Sequence, residues 1–336
     1  MESMRSRPVT LLLACAAVAA TACASLPVGA SASRTADELA GDAIRNLTTT
    51  PDVRFQGSLI DAQGRALAVS MTTTRQGDGR GSLTVNGRSV EVLASGGHTY
   101  YRGEDFWTTS DPKMAKLYGG SWVAAVPSGL GDVLIALTRR ATISEMLGSR
   151  RYGLRRGGTS TVNGQSVVAL SDASGSILVT TRDPTRLVRL AGTPGFLRPD
   201  GSHDLQLDFD YPPDVTVTPP ARFIDPNDPS TLPAHLVAVS TTTGRCDASA
   251  CEQVVTVRNT AGPPAAEAAV TVRLTGSTGA VLGTCTAPVP PTGYNDTATV
   301  RCSVSGAAWA AYARMPGFSS KSVHARATLH NPPYDS

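Results

Sequence analysis

The chain has 336 residues, a formal net charge of +3 and an aromatic content of 5%. The length exceeds one typical domain and predicts two. Lysine is rare, and no basic tract is denser than arginine pairs such as Arg150-Arg151 and Arg155-Arg156, so we expect no nucleic-acid partner.

The N-terminus has the pattern of a secretory signal. Two arginines lie within the first seven residues, and Val9–Ala22 follows as 14 uncharged residues. That run suits the apolar region of a signal peptide and is shorter than the roughly 20 residues of a spanning helix. Ala20–Cys23 resembles the lipobox of bacterial lipoproteins, in which the cysteine is acylated and becomes the new N-terminus. The alternatives are a second box that ends at Cys15, or an ordinary signal peptide cut near Ala24 or later.

We therefore expect residues 1–22 to be a lipoprotein signal peptide, Cys23 to be lipidated and residues 23–34 to form a flexible tether. Two or more acyl chains, palmitate among them, hold a protein firmly on a membrane, whereas one chain binds marginally. The predicted location is the outer face of the cytoplasmic membrane, with the N-terminal acyl chains inserted in it.

The first predicted elements are a helix and a meander. Thr35–Leu47 has apolar residues at helical spacing, and Thr35 with Glu38 forms a capping-box pattern. Residues 53–109 alternate with period two, which predicts an antiparallel meander of five or six strands. Asn86-Gly87 is the best hairpin signal within it. We expect the strand that begins at His98 to pair with the segment around Phe106–Thr108.

A helical region and more strands follow. Pro112–Leu117 predicts one or two helical turns, and Gly129–Leu147 predicts a longer helix with an apolar stripe that Gly148 ends. Alternating segments between residues 158 and 209 predict further strands. A second Asn-Gly turn at Asn163-Gly164 lies in a near copy of the residues around Asn86-Gly87.

The last third of the chain is predicted to be a separate module. Seven prolines between residues 211 and 233 oppose regular strand pairing and indicate a stiff linker at 212–234. Six short alternating segments then predict a small β-sandwich at residues 235–333.

Four cysteines lie in this module, and in an exported chain an even set indicates disulfides. Spacing favours the pairs Cys246–Cys251 and Cys285–Cys302, although four cysteines allow three pairings. The alternative is a zinc site, which neither a Cys-x-x-Cys pair nor nearby paired histidines support.

The order of elements over residues 35–211 resembles that of the LolA-like lipoprotein carriers of bacteria, including the LppX-type lipoproteins of actinobacteria. Four segments carry the resemblance: Tyr100–Trp107, Trp122-Val123, Thr161–Val168 and Phe209–Val215. It implies a mainly β, α+β fold, in which an antiparallel half-barrel holds helices on its concave face and encloses an apolar cavity for acyl chains. The C-terminal module lies outside the resemblance and is similar to the small Ig-like sandwiches of exported bacterial proteins.

No catalytic motif is present, because the sequence lacks the serine-hydrolase elbow, the zinc-protease helix, the Walker loop and the dinucleotide fingerprint. We therefore expect neither an enzyme nor a cofactor nor a bound metal. The aromatic and aliphatic residues around the predicted second helix either line a ligand cavity or fill the core, since both need the same apolar face. The cavity candidates are Trp107, Trp122, Leu130, Val133, Leu134, Leu137, Ile143, Met146 and Leu147.

Two functions follow from this pattern. The first is a membrane-anchored carrier of a lipid, glycolipid or other hydrophobic ligand, which gains about 0.8 kcal/mol per buried methylene. The second is a structural or interaction lipoprotein without a cavity, whose sandwich binds a cell-envelope protein or a cell-wall partner.

Overall fold

A computed structural model describes residues 34–110, 112–126, 130, 135–149, 151–192, 203–265, 267–317 and 322–335. The fold is mainly β with a few short helices, as the sequence predicts. Cys23, Val133 and Leu134 lie outside the described residues. Within the described ranges, no helix has both the length and the apolar character needed to cross a membrane.

The largest element is a ten-stranded antiparallel sheet in the order β5-β4-β3-β2-β1-β10-β9-β8-β7-β6. Two meanders therefore meet where β1 pairs with β10, and Phe55 lies opposite Phe209 at this seam. The first meander consists of β1 Asp52–Ile60, β2 Ala66–Thr74, β3 Gly79–Val85, β4 Arg88–Ser95 and β5 His98–Arg102. The second consists of β6 Arg155–Val162, β7 Gln165–Ser171, β8 Gly175–Thr180, β9 Leu187–Gly192 and β10 His203–Asp210.

Both predicted Asn-Gly hairpins are confirmed. Asn86 and Gly87 join β3 to β4 with φ values of 48° and 80°. Asn163 and Gly164 join β6 to β7 with φ values of 48° and 75°. Two successive left-handed residues give the turn whose twist matches that of paired strands, which explains why the same residue pair serves twice.

Glycine is also required at the seam of the large sheet. A Cβ atom on Gly57 would lie 1.8 Å from the backbone oxygen of Gln206, so β1 and β10 approach too closely there for any side chain.

The α-helices whose full extent lies within the described residues of this part of the chain are α1 Ala36–Thr49, α2 Glu104–Ser110, α3 Pro112–Tyr118 and α4 Arg140–Gly148. The predicted stripe of α1 is buried at Leu39, Ala40, Ala43 and Leu47. These side chains share one apolar core with the inward residues of β1, β2 and β10 and with Ile143 and Leu147 of α4. Burial of this face, more than helix propensity, holds α1 in place.

Two predictions in this region are wrong. The segment around Phe106–Thr108 is helical, and the backbone of β5 pairs instead with Val123, with Tyr101 N donating to Val123 O at 2.9 Å. Burial of Phe106 and Trp107 on the core side of α2 overrides their β propensity.

The helix predicted over Gly129–Leu147 is interrupted. Leu137 and Thr138 form a turn, Arg139 is extended, and α4 begins only at Arg140. The Thr138 hydroxyl donates to Ile135 O at 2.7 Å, which competes with the helical hydrogen bonds at the break.

The proline-rich segment has contacts along its length, although it contains no strand within the described residues. Val215 N donates to the Asp52 carboxylate at 3.0 Å. Ile224 forms a parallel bridge with Val123, and its N donates to Trp122 O at 2.8 Å. Further along, Pro229 O accepts from Gly262 N at 2.9 Å.

The predicted six C-terminal strands are all present, in two three-stranded antiparallel sheets with the orders β11-β12-β15 and β14-β13-β16. Val255 and Val257 of one sheet and Val270 and Val272 of the other share a core, so the sheets pack face to face. The strands are β11 Leu236–Cys246, β12 Ala250–Asn259, β13 Ala269–Gly276, β14 Val281–Pro288, β15 Thr297–Ser305 and β16 Val323–His330.

A short helix, α5 (Ala307–Ala313), completes the sandwich and was not predicted. Its Trp309 is fully buried, and the indole nitrogen donates to Asp247 O at 3.0 Å. Both favoured disulfides are present: Cys246–Cys251 closes the turn between β11 and β12, and Cys285–Cys302 joins the two sheets through β14 and β15.

Candidate functional site

The predicted apolar site lies where α2, α3 and α4 cover the large sheet. Trp107 is on α2, and Ile143, Met146 and Leu147 are on α4. Leu130 and Leu137 precede α4 along the chain and belong to the same core.

Five of the described cavity candidates are enclosed by protein atoms, whereas Trp122 and Met146 are partly exposed. Leu130, Leu137 and Ile143 are each 0% exposed, and Trp107 and Leu147 are each 3% exposed. A side chain that lined an open cavity would keep surface accessible to a water-sized probe. These side chains therefore contact protein atoms on all sides, and a ligand would enter only by displacing them.

Trp107 has one unsatisfied polar atom. Its ring makes an edge contact with Tyr118, with 4.8 Å between ring centroids and an interplanar angle of 67°. The buried indole nitrogen has no hydrogen-bond acceptor among the described residues. Leaving such a donor unpaired costs about 1–3 kcal/mol.

Trp122 lies apart from the other candidates, at a half-buried position beside β5. The Arg102 guanidinium is 4.5 Å from the centroid of its ring, and the same guanidinium donates to Glu91 at 2.6 Å. The cation over one ring face and the hydrogen bond from Ile224 N to Trp122 O hold Trp122 where the proline-rich segment runs beside the β5 edge of the sheet. The described contacts thus give it a role in attaching that segment.

Sequence reasoning missed Arg140, a buried cation at the first position of α4. Its exposed fraction is 5%, and one guanidinium nitrogen, Nη1, donates to Thr50 O at 2.8 Å. Burial lowers the pKa of Arg140, the charge of Asp52 opposes this, and the charge of Arg75 lowers it further. Helical periodicity had placed residue 140 inside a continuous amphipathic helix, where its burial gave no signal.

A second overlooked feature is the outer face of the β14-β13-β16 sheet. Arg273 of β13 lies directly opposite Arg326 of β16, and both are exposed. The three strands contain no aspartate or glutamate. Around the arginines lie exposed hydroxyl and imidazole side chains, namely Thr271, Thr284, Thr286, Thr328, His324 and His330.

The described residues contain no group of three or more histidine, cysteine or carboxylate side chains that could hold a metal ion. The exposed carboxylate of Asp247 serves a turn: it accepts from the Ser249 hydroxyl and from the N–H groups of Ser249 and Ala250. These bonds, led by that of the hydroxyl, lower the pKa of Asp247 to about 2.

Comparison with known proteins gives no family. No protein-family model matches the chain, and no curated protein matches it. Among solved structures, a Pseudomonas aeruginosa MucA/MucB complex matches with 13% identity, 86% of this chain, 98% of that chain and a TM-score of 0.25. A structure of MucB in complex with MucA(peri) matches with 12% identity, the same coverages and a TM-score of 0.23. At these scores the likeness supports no conclusion about fold or function.

Proposed function

We propose that this chain is an exported, membrane-anchored envelope protein that binds an anionic cell-wall polymer through the outer face of β14, β13 and β16. The anchor is the acylated Cys23, and binding needs no catalytic group or cofactor. The observation that carries the proposal is the uncompensated pair Arg273 and Arg326.

Like charges directly opposite each other on neighbouring strands destabilise a sheet. Neither guanidinium forms an ion pair within the part of the chain that the structure describes. In the opposite sheet, by contrast, Arg301 has an acidic partner, since its guanidinium donates to the Glu252 carboxylate at 3.1 Å. An anion bound between Arg273 and Arg326 would offset the repulsion that the fold leaves in place.

The surroundings of the arginine pair favour an extended polyanion. The three strands carry no phenylalanine, tyrosine or tryptophan, the side chains that most often stack on bases or enter a membrane interface. Threonine hydroxyls flank the arginines, and those of Thr271 and Thr286 lie 2.9 Å apart. Asp335, which follows β16, is paired with His330.

The test is binding of the full chain, purified in a neutral detergent, to a linear glycerol-phosphate polymer by calorimetry. The double variant Arg273→Gln/Arg326→Gln should weaken binding about tenfold, because each guanidinium contributes a charge-assisted contact. The matched control is Arg258→Gln/Arg301→Gln, which removes the same charge from the opposite sheet and should keep the affinity.

Equal weakening by both double variants would mean that only net charge matters and would overturn the proposal. So would binding to anionic vesicles without binding to the polymer. Thermal melting provides a fold control: the Arg273→Gln/Arg326→Gln variant should melt at or above the wild-type temperature, since it removes a repulsion.

A lipid carrier is the second candidate function. The unpaired indole N–H of Trp107 favours it, since a buried ester or hydroxyl oxygen of a ligand would supply the missing acceptor. The enclosed side chains around Leu137 argue against a standing cavity. Native mass spectrometry separates the two functions: co-purified or added lipid should remain bound to a carrier, and its absence in both cases would exclude that role.

A further inference from the structure

A cleft at the start of α4 is lined by more positively charged than negatively charged side chains. It lies between the β2–β3 turn, the β4–β5 turn and the first residues of α4, and its volume is about 380 Å³. Three arginines line it, Arg75, Arg139 and Arg140, together with His98. We call it the arginine cleft.

The carboxylate that lines the arginine cleft, that of Asp78, offsets only part of the charge of the three arginines. Asp78 accepts from Gly96 N at 3.0 Å, a bond that holds the two turns together. Arg75 and Arg140 are close enough for the charge of one to lower the pKa of the other. Within the described residues, neither Arg75 nor Arg139 forms an ion pair.

Arg140 also presents an unused donor. Its side chain is 95% buried, one nitrogen donates to Thr50 O, and the other, Nη2, has no acceptor among the described residues. A buried charged donor without a partner is costly, so an acceptor in the cleft would stabilise Arg140 if a small shift of the guanidinium brought Nη2 to it.

The helix itself adds to this field. Arg139 precedes the nine-residue helix α4 in an extended conformation, and its side chain does not cap the helix. The first N–H groups of α4 therefore have no side-chain acceptor at the N-cap position. Arg139, Arg140 and Ala141 all line the cleft. A helix N-terminus with nearby guanidinium groups is a favourable place for a phosphate.

We propose that the arginine cleft binds a phosphate group carried by a small polar molecule, such as a phosphorylated polyol. The volume exceeds that of a lone phosphate, and nine of the thirteen lining residues have polar side chains, which provides hydrogen-bond partners for hydroxyl groups in the remaining space. The site is independent of the face around Arg273, so either proposal can fail alone.

The experiment is calorimetric titration of the full chain in neutral detergent with glycerol 3-phosphate, inorganic phosphate and dihexanoyl phosphatidic acid. Glycerol 3-phosphate should bind more tightly than inorganic phosphate. Arg75→Gln and Arg139→Gln should each weaken binding about tenfold, since each removes one charge-assisted contact. Both side chains are exposed, so these variants test the site without the folding risk of Arg140→Gln.

Arg88→Gln is the matched control, because it removes one exposed arginine from β4 outside the arginine cleft and should leave the affinity unchanged. Absence of binding by any probe would overturn the proposal, and so would equal affinity of wild type, Arg75→Gln and Arg139→Gln. If dihexanoyl phosphatidic acid were the one probe that bound, the proposal of a small polar ligand would be overturned, and the cleft would instead bind the phosphate of a lipid headgroup.

Discussion

Asn331 closes a ring of two hydrogen bonds with the backbone of Leu236. Its Oδ1 accepts from Leu236 N at 3.0 Å, and its Nδ2 donates to Leu236 O at 2.8 Å. Both residues are buried, so the side chain of Asn331 supplies at the start of β11 the two hydrogen bonds that a neighbouring strand would otherwise supply.

We expect Asn331→Ala to lower the free energy of unfolding by about 2–4 kcal/mol, because it leaves a buried N–H and a buried C=O without partners. Urea denaturation followed by fluorescence measures the change. Thr328→Ala is the control, since its side chain is exposed on β16, and it should change stability by less than about 0.5 kcal/mol. Equal effects of the two substitutions would contradict the assigned role of Asn331.

The enclosed interior under α4 predicts a steep cost for cavity formation. Leu137→Ala should destabilise the protein by about 3–5 kcal/mol, because its side chain is 0% exposed and its neighbours cannot fill the space fully. The half-exposed Met146 of α4 serves as a comparison, and Met146→Ala should lower the free energy of unfolding clearly less than Leu137→Ala does. A small loss of stability in Leu137→Ala would indicate free space around this side chain and would support the carrier function.

The depressed pKa of Asp247 predicts acid sensitivity of the sandwich. A carboxyl whose pKa is lowered by folding contributes stability that is present above its unfolded value, about 4, and is lost as the pH falls through about 2. Asp247→Asn should therefore flatten the dependence of stability on pH in that window. Thermal melts between pH 5 and pH 2 measure this, and parallel curves for wild type and variant would refute it.

The proposed acylation at Cys23 predicts membrane association that depends on one thiol. Cys23→Ala should move the protein from the membrane fraction to the soluble exported fraction, because it removes the acyl chains that hold it. Mass spectrometry of the processed N-terminus identifies the modification. Cys15→Ala tests the rival lipobox and should leave the anchoring intact; release by Cys15→Ala instead would assign the anchor to that site.

Local patterns in the sequence were enough to predict most strands and turns. The two Asn-Gly turns and the six C-terminal strands follow from period-two alternation and turn chemistry, which act over a few residues. The stripe of α1 was equally local.

Features that depend on distant residues were not predictable. Helix α2 forms because Phe106 and Trp107 meet a core built from other elements, although their local propensity favours a strand. Arg75 and Arg140 come close to each other only because the β2–β3 turn and the start of α4 line the same cleft. The Arg273–Arg326 pair needs the register of β13 with β16, which alternation alone does not specify.

The seam between β1 and β10 determines when the large sheet can be completed. During the proposed export β1 emerges long before β10, so the first meander has an unpaired edge strand until β10 arrives and must not pair with a strand of another molecule. Contacts between such distant segments also slow folding. A side chain at position 57 would hinder the pairing of β1 with β10, the last pairing of the sheet. A substitution of Gly57 should therefore lower the yield of exported protein even where every other strand is intact.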